Sequence, residues 1–427
     1  MDIFLVPIGS AGDVHPFIGV GCELRRRGHR VTVLTNDHFK ALIESSGLEF
    51  ASSSSAEDFK SSLEDPRLWD PTHAFEYLSR NFFLPLVPVV YRFLEERYVP
   101  GQTLVVGSSL AWGARIAQEN LGLPMAILHL QPAILMSLYD TPEYSRAPWM
   151  SHMPRIFKRA YLSLANHITD GILTPEINAF RASLGLSPVR HVLRDWVHSP
   201  LMTVGLFPDW FAPPQPDWPP CVRLTGFPLY DVDHIQSMPP EVDAFLKAGP
   251  APVVFTAGSA MKQARSLFEV SAEACRVLGC RGLLINLFED QISASLPPGV
   301  MAVRYAPFSQ VFPRAAAVIH HGGIGTTAQA FAAGVPQLVT PFAHDQFDNA
   351  ARVVRLGLGE RMLPKNYTIK TVTAALGRLM NDEALRGRAC RVSARLHGSD
   401  AIARTCDLIL ENIKDGAIGL PAATRKN

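Results

Sequence analysis

The stretch from Tyr305 to Asn349 restricts the fold of this chain more than any other. Ala316 to Ile319 is a small-residue and β-branched apolar run, the pattern of a strand buried on both faces. It enters His320, His321, Gly322 and Gly323, after which a helix is predicted to begin near Thr326. Gly334-Val335-Pro336 ends that helix, Gln337 to Thr340 reads as the next strand, and Pro341 opens a loop carrying His344, Asp345 and Gln346. Strand, glycine turn, helix and strand in that order describe a parallel β-α-β unit. The turn also has chemical content. Glycines at 322, 323 and 325 let the backbone approach a ligand, and the first helical turn presents unpaired N–H groups at the positive end of its dipole. An anion such as phosphate suits that place, although the lysine of a P-loop is missing. Ligands of open α/β sheets sit at the carboxyl ends of the strands, where the Asp345 carboxylate and the Gln346 amide offer acceptors and donors to a polyhydroxylated sugar.

The same rhythm opens the chain. Ile3 to Ile8 reads as a strand, Gly9 to Asp13 as a tight turn, and His15 to Arg27 as a helix stopped by Gly28. Val31 to Thr35, a helix from Phe39 to Ser46 and Leu48 to Ala51 follow, and Leu104 to Val106, a helix around Trp112 to Asn120 and Met125 to His129 continue it. Ser52 to Asp70 and Ser137 to His198 interrupt the alternation as insertions of the kind that shape a pocket. Tyr144, Trp149, Met150, Phe157 and Tyr161 make the second one aromatic, and core packing of extra helices explains any single one of them equally well. The proline-rich run Phe211 to Pro220 suits neither a helix nor a central strand and marks a boundary. With 427 residues, two domains of roughly 200 residues are expected. The division reads as 1–225, a linker at 226–250, a second wound domain at 251–398, and a C-terminal helix at 399–417.

Composition narrows the function. A net charge of +1 argues against nucleic acid as a partner. The six cysteines show no C-x-x-C or metal spacing, which fits reduced thiols in a cytoplasmic protein. Asp2 stands where a secretion signal would be basic, and Pro124, His129, Gln131 and Pro132 break the uncharged run Leu121 to Tyr139, leaving at most a peripheral membrane contact. Asp231-Val232-Asp233 has the spacing of a divalent-cation pair, but it lies in a proline-flanked connector, so no metal is expected.

Three segments carry a resemblance. The run VIHHGGIGTT, the AGVPQ turn and the Asp345-Gln346 pair are similar, in order and spacing, to the donor-binding signature of family 1 glycosyltransferases, inverting enzymes of the two-domain GT-B fold. That resemblance implies two doubly wound Rossmann-like domains facing across a cleft, with a nucleotide sugar as co-substrate, no other cofactor, and the last helix crossing back to the first domain. His321 would touch the diphosphate, with His320 a neighbouring candidate, and Gly323, Gly325 and Thr326 would complete the cradle. Asp345 and Gln346 would hold sugar hydroxyls. The family's usual tryptophan over the pyrimidine is replaced by Tyr305, followed by Ala306, and its frequent ribose-binding glutamate by Gln329. GSAGDVHPFIGVGCELRRRGHRV resembles the N-terminal signature of the bacterial members. There Asp13 matches the base that deprotonates the acceptor hydroxyl, with His15 a second candidate, whereas the simplest structural alternative is that Asp13 caps a helix starting near Val14. Ser10 and Gly12, with Gly258 and Ser259 after the first strand of the second domain, would add diphosphate contacts.

DPRLWDP, PEIN, LFPDWFAPPQPDWP, TGFPLYD and AHDQFDNA together resemble the rhamnosyltransferases of rhamnolipid synthesis. This implies dTDP-L-rhamnose as donor and a hydroxy-fatty-acid lipid as acceptor. The alternatives are a UDP-glucose-dependent enzyme of flavonoids or sterols, and a non-catalytic sugar-nucleotide-binding partner subunit.

Overall fold

The computed structural model describes residues 1–70, 73–145, 147–231 and 237–414. The chain forms two compact units, Met1–Pro228 with Asp400–Asn427, and Leu229–Ser399.

The first unit is built on seven strands: β1 (Asp2–Val6), β2 (Arg30–Asn36), β3 (Glu49–Ser54), β4 (Thr103–Ser108), β5 (Met125–His129), β6 (Met202–Gly205) and β7 (Val222–Leu224). They pair in parallel in the order β3-β2-β1-β4-β5-β6-β7, so the winding reverses between β1 and β4. Strands β4 and β5 are buried along their whole length, consistent with their largely apolar centres, Leu104–Val106 and Met125–Leu128. Tyr91 and Trp112 anchor the core on one face, where the helices Leu84–Arg97 and Trp112–Leu121 pack together. The larger insertion contains one long helix, Arg155–Ser183, whose Leu173 and Ile177 join that core.

The last described helix, Ala401–Lys414, belongs to this unit. Thr405 Oγ1 donates to Thr225 Oγ1 at 2.8 Å, the Cys406 thiol points at the Val20 carbonyl at 3.6 Å, and Arg27 pairs with Asp407 at 2.6 Å. The tail beyond Gly416 lies outside the described residues.

The second unit holds β8 (Val253–Thr256), β9 (Gly282–Ile285), β10 (Val300–Val303), β11 (Ala317–His320), β12 (Gln337–Val339) and β13 (Gly359–Arg361). Their parallel order, β10-β9-β8-β11-β12-β13, reverses between β8 and β11. The expected linker at 226–250 is corrected here. The helix Pro240–Lys247 buries Val242 and Leu246 in the core beside Val254, Leu283 and Phe312, and Asp243 pairs with Arg314 at 2.8 Å, so the segment is part of the second unit. No described helix is long and apolar enough to cross a membrane.

Candidate functional site

In the second unit the turns after β8 and β11, at the reversal point of the sheet, meet at His321. The helix after the glycine turn is Ile324–Ala333, two residues earlier than its sequence suggested, because Gly323 serves as its N-cap. The N–H groups of Ile324, Gly325 and Thr326 therefore form its free first turn. A β-carbon placed on Gly325 would meet nothing within 4 Å, so that turn is uncovered. Gln329 lies one helical turn beyond Gly325 on the same face.

The two histidines have different jobs. His320 ends β11 fully buried; its Nδ1 accepts from the Gly322 N–H at 3.1 Å, so Nε2 carries the proton and donates to Gln337 Oε1 at 2.9 Å. Burial holds it neutral, with its pKa lowered to about 4. With both nitrogens engaged inside the fold, His320 shapes the turn and has none left for an anion, which corrects its candidacy. His321 is different. Its ring is wedged between two glycines: a β-carbon on Gly258 would come 2.6 Å from Cε1, and one on Gly323 would come 3.0 Å from the same atom and closer still to Nε2. Its Nδ1 is buried without a hydrogen-bond partner. Burial, reinforced by His320, lowers its pKa to about 3, so it meets an anion as a neutral hydrogen-bonding ring.

Asp345 caps the helix Gln346–Arg355, and the loop before it turns through His344 at φ 56°, a left-handed conformation uncommon outside glycine. The Gln346 carbonyl oxygen accepts from Phe342 N–H at 2.8 Å and Ala343 N–H at 3.1 Å. Its amide nitrogen is thus the end available to a ligand, so the expected donor-and-acceptor pair is narrowed to a donor at 346 and an acceptor at 345. Asn349, fully buried, donates to Asp345 Oδ2 at 2.6 Å and to the Gly322 carbonyl at 2.9 Å, coupling the acidic loop to the glycine turn. Its role was not read from sequence, although its place four residues after Asp345 is the spacing of helical neighbours. Tyr305 and Ala306 follow β10, and the Tyr305 hydroxyl lies 3.5 Å from Asp231 Oδ1. Asp231 also accepts the Ser309 N–H at 2.9 Å, while Val232 and Asp233 lie outside the described residues. Ser259 follows Gly258 in the half-buried loop after β8.

In the first unit, the reversal point between β1 and β4 carries Asp13. The helix there is Ala11–Arg26, three residues longer at its start than a beginning at Val14, so Asp13 is its third residue and Ser10 its cap. The carboxylate reaches back to the Ser10 N–H at 2.7 Å and hydroxyl at 3.1 Å. The capping alternative is therefore real, in reverse: the acid serves the cap residue. Gly9, at φ 138°, makes this possible, since a β-carbon there would fall on the carboxylate. Burial outweighs the two Ser10 hydrogen bonds and raises the Asp13 pKa to about 6. His15 lies two residues on, about 200° around the helix, so the two side chains leave on different faces. Gly12 is exposed beside them.

Beyond β4 and β5 lies a hydrogen-bonded chain that the sequence did not announce. Ser109 Oγ is 3.2 Å from His129 Nδ1, His129 Nε2 is 2.8 Å from His198 Nδ1, and His198 Nε2 is 2.9 Å from the Arg194 carbonyl. A carbonyl only accepts, so every proton in the chain is fixed: His198 Nε2–H donates to Arg194, His129 Nε2–H to His198, and the Ser109 hydroxyl to His129. Burial keeps both rings neutral, His129 well below the usual histidine range and His198 at about 4. The Ile8 N–H donates to Ser108 Oγ at 3.3 Å, so this chain adjoins the turn that leads to Asp13.

Each of the two units has a counterpart among known protein families. Residues 3–135 match the glycosyltransferase family 28 N-terminal domain, and residues 283–406 the erythromycin biosynthesis protein CIII-like C-terminal domain. O-mycaminosyltylonolide 6-deoxyallosyltransferase of Streptomyces fradiae is 30% identical over 428 residues, covering 96% of this chain and 97% of that protein. The chain belongs to the family 1 glycosyltransferases. This glycosyltransferase is also similar to a sterol 3-beta-glucosyltransferase of Arabidopsis thaliana, 23% identical over 95% of this chain and 67% of that protein. Among solved structures, the glycotransferase of kitacinnamycin superposes with a TM-score of 0.69, at 24% identity over 96% of this chain and 98% of that one. The spinosyn rhamnosyltransferase complexed with thymidine diphosphate superposes with a TM-score of 0.67, at 18% identity over 96% and 100%. The fold of the two units is GT-B.

Proposed function

We propose that this glycosyltransferase moves a sugar, with inversion and without a metal ion, from a dTDP- or UDP-sugar to a hydroxyl of a hydrophobic acceptor. The observation that carries the reading is Asp13, a carboxylate raised to about 6 and fixed by Ser10 at the strand-order reversal of the first unit. A base with that pKa is largely ionised at neutral pH and matched to taking a proton as an alcohol becomes a nucleophile. The acceptor oxygen then attacks the anomeric carbon from the face opposite the leaving diphosphate, which inverts that centre. The helix Ile324–Ala333 offsets the charge on the leaving group through its N–H groups and dipole, and His321 adds a hydrogen bond. Asp345 and the Gln346 amide nitrogen hold the sugar, and Tyr305 and Gln329 face the nucleoside.

Thymidine diphosphate in the spinosyn enzyme's structure supports a dTDP donor, and dTDP-L-rhamnose with a hydroxy-fatty-acid acceptor follows from the sequence resemblance. A second reading, UDP-glucose transfer to a sterol, rests on the plant relative. Incubating the protein with dTDP-L-rhamnose and UDP-glucose, each with a hydroxy fatty acid or a sterol, separates the two by the product formed. Product from none of the four pairs would refute both.

A further inference from the structure

The long helix Arg155–Ser183 is built inside out over its first half. Its inward positions 173, 177 and 181 carry Leu, Ile and an Arg paired with Glu119, but the preceding inward positions are Lys158, Leu162 and Asn166. Meanwhile Phe157, Leu164 and Ile168 stand outward, each more than half exposed. Lys158 is only 7% exposed, buried along its aliphatic stem, and its ammonium makes no hydrogen bond or ion pair among the described residues. Asn166 is 2% exposed, and both ends of its amide, Oδ1 and Nδ2, are buried without a partner. Burying an amide in that state is unfavourable unless something completes it. Positions 158, 162 and 166 share one face, and the outer two are about 12 Å apart along the axis. The π-helical turn Ser79–Phe83 packs against this helix, and the Ser79 hydroxyl is likewise buried without a partner. Such turns recur at functional sites.

We propose that this inward face is an acceptor subsite for an amphiphile with an anionic end, whose carboxylate is held by Lys158 while Asn166 hydrogen-bonds a polar group further along its chain. The inference rests on the proposed function, in which Asp13 of the first unit takes the proton of the acceptor hydroxyl. A single unpaired ammonium matches a monoanionic carboxylate, the apolar Leu162 between the two polar residues matches a hydrocarbon spacer, and the amide can serve an ester or a hydroxyl.

Binding of 10-hydroxydecanoate, whose terminal hydroxyl can reach Asn166 while its carboxylate meets Lys158, and of its methyl ester to the full chain tests the proposal. All six tryptophans, from Trp69 to Trp218, lie in the first unit, so their fluorescence reports on it. The parent protein should bind the acid at least about tenfold more tightly than the ester, the scale of a charge-assisted contact. Lys158→Met should bind both as weakly as the ester, Lys158→Arg should keep the preference, and Asn166→Ala should weaken both ligands. Equal binding of acid and ester, binding of neither, or an acid preference surviving in Lys158→Met would overturn the subsite. The rise in melting temperature with dTDP, measured on the same samples, reports the donor half separately. Its absence beside an intact acid preference would count against the dTDP donor alone.

Discussion

Replacing Asp13 by asparagine separates its two roles, because they predict opposite changes in stability. The carboxyl keeps its proton to about pH 6 in the folded chain, against an ordinary value of 3.8. The folded state therefore binds more protons than the unfolded one between those values, and its stability falls as pH rises through that window. The full difference corresponds to about 3 kcal/mol above pH 7, less what solvent around this half-buried group screens away. Asparagine carries no charge to desolvate and can still accept the Ser10 N–H. Asp13→Asn should accordingly be more stable than the parent by about 1–3 kcal/mol at pH 7.5, with the gain roughly halved at pH 5. Transfer should slow by about a hundredfold or more, while nucleotide binding is kept. Urea unfolding followed by tryptophan fluorescence reads the first unit directly. If Asp13 served only the helix cap, the variant would lose about 0.5–1 kcal/mol at both pH values and keep its turnover. That outcome would refute its role as base.

Three further results are expected. Gly323→Ala, at a residue whose backbone tolerates any side chain (φ −59°), should push the His321 ring aside and weaken nucleotide binding about tenfold. The double variant with His321→Ala should bind no worse than His321→Ala alone, and additive losses by calorimetry would disprove the wedge. His129→Leu leaves the Ser109 hydroxyl and His198 Nδ1 unpaired and should destabilise the first unit by about 2 kcal/mol or more, against under about 1 kcal/mol for Ser109→Ala; equal losses on urea unfolding would argue against the chain. His198 and His320 are held near pKa 4 against an ordinary 6.5, so the unfolded chain takes up protons first on acidification. The stability their neutral forms provide is complete above about pH 6.5 and is lost as pH falls through 4. His198→Gln should flatten that decline in denaturation midpoints, and an unchanged slope would contradict the assignment.

The alternating strands and helices were legible because parallel strands buried on both faces need unbroken apolar runs, and glycine or proline marks their ends. β5 coincides with its expected span from Met125 to His129. Helix starts were misjudged at Ala11 and Ile324, where Ser10 and Gly323 cap three and two residues earlier than the apolar pattern implies. The glycine turn announced an anion site, but nothing in HHGG tells which histidine turns inward. That depends on Gln337, seventeen residues away in sequence and adjacent in the sheet. The serine and histidines at 109, 129 and 198 were illegible for the same reason: strands β4, β5 and β6 bring them together, and each alone reads as an ordinary polar residue.

The helix Ala401–Lys414 also dictates an order of assembly. Its partners, Val20, Arg27 and Thr225, are made before the second unit is synthesised, and the helix itself comes after it. A nascent chain released only to Pro228 contains every strand of the first sheet but lacks the helix that packs on Val20, Arg27 and Thr225. The first part of the protein to emerge is thus the last to be finished, and it waits through the making of roughly 170 further residues for the segment that closes it.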